Sequence, residues 1–380
     1  MRLTKRNLAL AAVVSFTALS SLSWTSAGLA KSHSFKTSPA NLLQSIKQQV
    51  AAMEGPDTVW TGPTTGPKAA KGKFIVYLSG MAGNNLSRDY GIFMAQAAAK
   101  IGWKFKVINA SGSATSWLNG LNEAIALKPN GIAMFANAAT LQGPIRKAVA
   151  RGIVLIGLHA SAEPGPRPTR HLFTNIESSP AQIGRAEADY VIASSNGKAN
   201  VVVLTHNEYA IAYTKSMATK NQLTALPGIH VKGYVNIPAA NTQQLIPGLV
   251  TSWVQRYGLP LYATTVGDTD WAFAAAALRG MGVPPSQVRL VGSDGTPGAY
   301  ARIRQGNDYQ VATVPEPVEL QAWQAIDEFN RAFHKMPPSN FLQPVHLVVH
   351  SNVNLEGGRQ GFFNPANHYK QHYEKIWGVK

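Results

Sequence analysis

The sequence predicts an α/β protein built as two doubly wound parallel-sheet lobes, and three observations carry that prediction. From Lys73 onward, short β-branched and apolar runs alternate with longer stretches that read as helices. The runs are apolar throughout rather than at every second residue, as strands are when helices cover both faces of a parallel sheet. A Pro-rich break from Glu163 to Arg170 interrupts the alternation, which then restarts.

The first unit contains the strand-length runs FIVYLS, FKVINA, GIAMFA and VLIGLH. Candidate helices from Arg88 to Ile101, Thr115 to Leu127 and Leu141 to Ala150 separate them. After the break come LFTNI, a helix from Pro180 to Ser194, NVVVLT, a helix from Tyr209 to Leu223, and VKGYVNI. A helix from Thr242 to Gln255, LYATTV, a helix from Thr269 to Met281 and a strand ending at Asp294 complete a second unit of similar size. The chain then passes through YQVATVPEP, a helix from Leu320 to Phe333 and a strand in HLVVHSNVN. Two α/β lobes with repeated crossings between them make a hinged pair.

Upstream of this pattern, MRLTKR is a basic start, LALAAVVSFTAL an apolar stretch and SAGLA a small-residue exit. That order reads as a secretory signal cleaved after Ala30 or Ala27; an uncleaved membrane anchor is the competing reading. Residues 31–72 hold an amphipathic stretch, Leu42 to Ala52, followed by a Pro/Gly/Thr-rich connector. They form either an arm packed on the body or a linker, with Trp60 the residue expected to find a surface.

The 380 residues contain no cysteine, so stability must come from a buried core, and no lipid can be attached through a thioether. An exported, unanchored chain is expected in the periplasm. The formal charge of +16 becomes 16 − 3 = +13 without Arg2, Lys5 and Arg6. The basic residues are scattered, with no helix-turn-helix or zinc pattern, so a basic exterior facing an anionic envelope is preferred to nucleic-acid binding.

In an open parallel sheet, ligands bind beyond the carboxyl ends of the strands. Asp294 leaves its strand in the turn Val291 to Gly298, VGSDGTPG, and is read as a cleft residue or as the cap of the next helix. Other strand ends are polar too. VLIGLH delivers His159, LYATTVGDTDW delivers Asp268 and Asp270, and NVVVLTHNEYA delivers His206, Asn207 and Glu208. Glu316 lies between two prolines at an apparent lobe crossing, and Asn84 and Asn85 lie beyond the first strand. Tyr90, Tyr209 and Trp271 are candidate platforms for the C–H face of a sugar ring, although each could equally be core.

The turn VGSDGTPG, the stretch PNGIAMFANAATLQGPIRKAVARGIVLIGLH and VATVPEPVELQAWQAIDEF together resemble the ribose-binding-protein type of periplasmic substrate-binding protein, from about Lys73 to Asn354. The resemblance implies two lobes joined by three crossings around a sugar cleft. On that scheme residues 73–174 plus 316–349 form the first lobe, 175–315 the second, 31–72 an arm and 350–380 a returning tail. It implies a receptor that delivers a small sugar, polyol or amino sugar to the membrane permease of an ABC importer; a monomer without cofactor, metal or nucleic-acid partner is expected. Asp294 matches the family's cleft aspartate, and Glu316 stands where the family usually has Gln. His159-Ala160 replaces a common Asp-Arg, and Gly267-Asp268 replaces a common Asn-Asp, which argues against ribose itself. Acids retained without that arginine suggest a cleft leaning negative, open even to a cationic solute.

Two other functions compete with this reading. A sensor subunit for a chemoreceptor or histidine kinase would use the same cleft. A hydrolase lacks support, because no G-x-S-x-G, H-E-x-x-H or Walker motif is present and His346 and His350 fall on a strand-like run.

Overall fold

The computed structural model describes residues 38–379; the expected signal sequence and its expected cleavage points lie outside the described residues. Helix α1 (Pro39–Glu54) begins at Ser38, whose side chain accepts from the Asn41 N–H, with Pro39 fitting the first turn, where its missing N–H is not needed. The first sheet contains β1 (Phe74–Ser79), β2 (Lys104–Asn109), β3 (Gly131–Met134), β4 (Val154–Leu158), β5 (Gly165–Arg167) and β6 (Leu172–Ile176). Their order is β2-β1-β3-β4-β6-β5, parallel except for the antiparallel edge strand β5. Helices α2 (Asn85–Lys100), α3 (Ala114–Ala126) and α4 (Gln142–Ala150) link the parallel strands.

After α5 (Pro180–Ser194), the second sheet takes β7 (Ala199–Thr205), β8 (Ile229–Asn236), β9 (Leu261–Thr265), β10 (Val288–Asp294), β11 (Gln310–Pro315) and β12 (Val348–Val349). Its order is β12-β11-β10-β9-β7-β8, with β12 antiparallel. The intervening helices are α6 (Ala210–Leu223), α7 (Thr242–Tyr257), α8 (Thr269–Gly280) and α9 (Pro297–Gln305). The chain then returns to the first sheet through α10 (Val318–Phe333) and ends with α11 (Tyr369–Trp377).

The continuous apolar strands acquire their meaning from the period-two geometry of a strand. In β1, Ile75 and Tyr77 face α2 and α10 alongside Met94 and Leu320, while Val76 and Leu78 face α3 and α4 alongside Leu121 and Ile145. The second sheet repeats this: Val201 and Val203 pack with Ile183 and Leu223, and Val202 and Leu204 with Ile246 and Leu278. Each sheet is a two-sided core, so the observed architecture is the predicted α/β pair of lobes.

The polypeptide passes between the sheets at Glu177–Ser179, at Glu316–Pro317 and through residues 334–347. The arm and tail add two further passes. Ile46 and Val50 of α1 join the second core, whereas Trp60 stacks on His372 at 5.2 Å and lies beside Phe341 and Tyr373 near the first. The connector is therefore a packed strap. The expected strand in HLVVHSNVN shrinks to Val348–Val349 and pairs with β11, so these residues belong to the second sheet and not, as the sequence suggests, to the first lobe. Leu347 and Val349 are drawn into the second core, and the Leu347 N–H donates to the Met53 carbonyl.

Candidate functional site

A cavity of about 570 Å³ opens between the carboxyl ends of the two sheets. From the first sheet it receives Asn84 and Asn85 beyond β1, Phe135 beyond β3 and His159 beyond β4. From the second it receives His206 and Tyr209 beyond β7, Gly267 and Asp270 beyond β9, and Asp294 at the end of β10. Lys215 of α6 and Arg302 of α9 complete its polar wall.

Two wall residues hold backbone conformations that side chains other than glycine's seldom adopt: His159 at φ 53° and Asp294 at φ 90°. Both sit where the chain leaves a strand, and both line the cavity. Strain held at such points is commonly found at ligand sites. Asp294 is no helix cap, because Thr296 fills that role by accepting from the Ala299 N–H.

Asp294 instead pairs with Lys215, Nζ to Oδ1 at 3.1 Å, and the lysine side chain is only 3% exposed. Burial works against the ammonium charge, but Asp294 and Glu316 outweigh it and hold the Lys215 pKa above its ordinary range. A second pair lies on the same wall. His206 donates from Nδ1 to the Ile237 carbonyl at 2.8 Å and from Nε2 to Asp270 at 3.0 Å, while Thr265 also donates to Asp270. Both partners are acceptors, an arrangement that favours the doubly protonated ring. Burial opposes this charge, yet Asp270 and the carbonyl raise its pKa. Arg302 donates to Gln310 and to the Asp268 carbonyl, beside that residue's carboxylate. Cations answer carboxylates across this wall, so the expected negative lean is absent.

Four predicted site residues stand behind the wall. Asp268 is fully buried and accepts from the Gly295 and Thr296 N–H groups, the Thr313 hydroxyl and the Gln310 amide; it shapes the turn that carries Asp294. Trp271 is core, its indole N–H bonded to the Val291 carbonyl. Tyr90 is buried too, its hydroxyl shared between His159 Nε2 at 3.1 Å and Gln321. Glu316, 1% exposed, sits behind His159, whose Nε2 is 3.8 Å away. Its Oε2 accepts from the Ser178 N–H and the Gln321 amide. Burial alone would raise its pKa, but His159, Lys215 and these donors bring it below the usual carboxylate range.

Asn84 does two things, lining the cavity and accepting from the Ser87 N–H as the cap of α2. Tyr209 reaches across from the second half, its ring centroid 6.4 Å from that of Trp117 in α3. Lys215, absent from the sequence-based site, lies within a helix, on the face shared with Ala212, Ser216 and Thr219. A signal existed in principle: a lysine among small residues on the buried face of a helix needs a buried anion, and Asp294 is available.

Paired sheets with polar strand ends meeting at a cavity define a two-lobed solute-binding architecture. The sequence pattern described as the periplasmic binding protein domain matches residues 76–332, and the chain belongs to that family. No curated protein matches in sequence. Similar solved structures include an ABC transporter solute binding protein from Agrobacterium vitis with bound allitol, 19% identical, with 76% of this chain and 99% of that one covered at a TM-score of 0.66. A Caulobacter myo-inositol binding protein bound to myo-inositol is 20% identical over 76% of this chain and 97% of its own, TM-score 0.64. A periplasmic ribose ABC transporter from Conexibacter woesei is 18% identical over 76% and 95%, TM-score 0.64. At such identities the likeness speaks for the fold. Among the described residues no helix is long and apolar enough to cross a membrane.

Proposed function

We propose that this protein is the periplasmic solute-capturing component of an ABC importer and that it holds a small neutral sugar or polyol between its lobes. The observation that carries this reading is the cavity wall, where Lys215–Asp294 and His206–Asp270 pair opposite charges beside the neutral amides of Asn84 and Asn85. Paired ions present both donors and acceptors while offering no net charge, which suits vicinal hydroxyls and disfavours a cation or an anion. Phe135 and Tyr209 supply apolar faces for the C–H side of such a solute. Family membership supports solute binding over catalysis. The solved relatives bound to allitol and myo-inositol make polyols the first compounds to try.

The test is a thermal-shift screen of the signal-free protein with allitol, myo-inositol, ribose and other neutral sugars, set beside amines and sugar acids. A neutral member should stabilise the protein by about 2.7 kcal/mol at a concentration 100-fold above its Kd. Stabilisation confined to charged compounds, or steady turnover of a bound sugar, would overturn the proposal.

A further inference from the structure

We infer that Glu177 makes the hinge a proton-binding site, so that the lobes close with uptake of one proton. Glu177 follows β6 directly, on the first pass between the sheets, and its side chain is buried with neither oxygen hydrogen-bonded. A bare carboxylate in that position has lost its water and gained no donor, a cost that a proton removes. Glu316, on the second pass, lies close enough to add a like charge, and one of its own oxygens, Oε1, is also unpartnered.

Two neighbouring buried carboxyls cannot both remain ionised cheaply, so the question is which one carries the proton. Glu316 has donors in the Ser178 N–H at 3.1 Å and the Gln321 amide at 2.8 Å. Glu177 has only the Asn175 side chain nearby, whose amide is already committed to the Glu163 carbonyl at 2.9 Å and makes no well-formed hydrogen bond to either Glu177 oxygen. The groups that face it are Asn175 on β6, Glu316, Lys215 of α6, Glu163 from the loop before β5, and Tyr90 of α2. Burial comes first among the influences on its pKa, which is raised well above the ordinary value; Asn175 and Lys215 oppose the rise without reversing it.

These neighbours come from both halves of the molecule: Asn175, Glu163 and Tyr90 from the first, Lys215 from the second, and Glu316 from between them. Parting the lobes lets water reach Glu177 and returns it toward an ordinary carboxylate with pKa about 4.3. The closed form therefore binds more protons than the open form above that value. Closure is favoured on acidification and opposed as pH rises from the open-state value through the closed-state one. This linkage regulates the proposed solute site but does not depend on which solute it holds.

The experiment uses the full mature chain without solute, so that it can fail while solute capture stands, or succeed while solute capture fails. Small-angle scattering is recorded from mildly acidic to alkaline pH, on wild type and on Glu177→Gln, which mimics the protonated acid in shape and charge. Infrared spectra of both proteins at neutral pH report the carbonyl stretch of a protonated carboxyl. The expected results are a wild-type radius of gyration that grows as pH rises, a Glu177→Gln radius that stays small, and one protonated-carboxyl band lost in the variant. A wild-type radius independent of pH, a variant that follows the wild type, or no band lost on substitution would overturn the inference. If the variant fails to fold, the wild-type scattering series alone decides, and a flat series rejects the hinge proton.

Discussion

The two sides of the cavity differ in kind. The first sheet contributes amides, an aromatic ring and His159, whose Nε2 is positioned by the Tyr90 hydroxyl. The second contributes fixed charges already paired with one another, Lys215 with Asp294 and His206 with Asp270. The difference teaches how such a cleft divides its work. The charged side holds strong donors and acceptors oriented before any solute arrives, which lowers the ordering cost of binding. The neutral side completes the cage with weaker groups, whose loss should disturb the empty protein less.

Removing one member of the charged side should have the largest effect. Lys215→Met leaves Asp294 without its cation in a largely enclosed site, and Asp294→Ala leaves a buried ammonium unpaired. Either should lower unfolding stability by about 3 kcal/mol, as expected when one partner of a buried pair is deleted. Denaturant unfolding measures that loss. Lys215→Met combined with Asp294→Ala should recover most of it, because no uncompensated charge remains, while calorimetry with any sugar or polyol found by the screen should still show binding weakened tenfold or more. Stability losses that simply add in the double variant would mean that the 3.1 Å pair contributes nothing.

The second charged pair sharpens the comparison through pH. His206 has a folded-state pKa raised above its unfolded value of about 6.5. Its stabilisation is therefore fully present below about pH 6.5 and is lost as pH rises through the folded-state value. Each unit of difference corresponds to about 1.4 kcal/mol, so the effect should be smaller than that of breaking the lysine pair. Unfolding curves collected across this range should show wild-type stability declining toward alkaline pH, and the decline should be shallower in His206→Gln. Parallel curves for the two proteins would show that His206 is neutral in the folded state.

The same comparison separates what the sequence reveals from what it conceals. Uninterrupted apolar runs placed FIVYLS and LFTNI on their observed strands, and Ser179-Pro180 marked the start of α5 because a serine cap followed by proline is a local signal. HLVVH misled because its apolar residues serve the far sheet through a two-residue strand, a choice made by tertiary packing. The strand-end rule points to the ends of both sheets that meet at the cavity, and His159, Asn84, Asn85, Tyr209 and Asp294 all line it. Position at a strand end does not say which way a side chain turns, so Asp268, Trp271, Tyr90 and Glu316 were placed one layer too far forward. Lys215 was hidden because it comes from inside a helix and meets Asp294 only after folding, across 79 residues of chain.

The neutral side gives the smallest expected effect and the cleanest separation of roles, at Asn84. Its side chain accepts from the Ser87 N–H at 3.1 Å, satisfying one of the donors left free at the start of α2, and the same residue lines the cavity. Alanine removes both functions, so Asn84→Ala should lower stability by about 1 kcal/mol through the lost cap and weaken solute binding severalfold. Serine caps a helix nearly as well but is shorter and lacks the amide N–H₂ group. Asn84→Ser should therefore keep unfolding stability within about 0.5 kcal/mol of wild type while still weakening binding. Urea denaturation and calorimetry on the two variants decide the matter. If serine restores affinity together with stability, Asn84 acts on the solute only by shaping α2, and the neutral side must be carried by Asn85, Phe135 and His159.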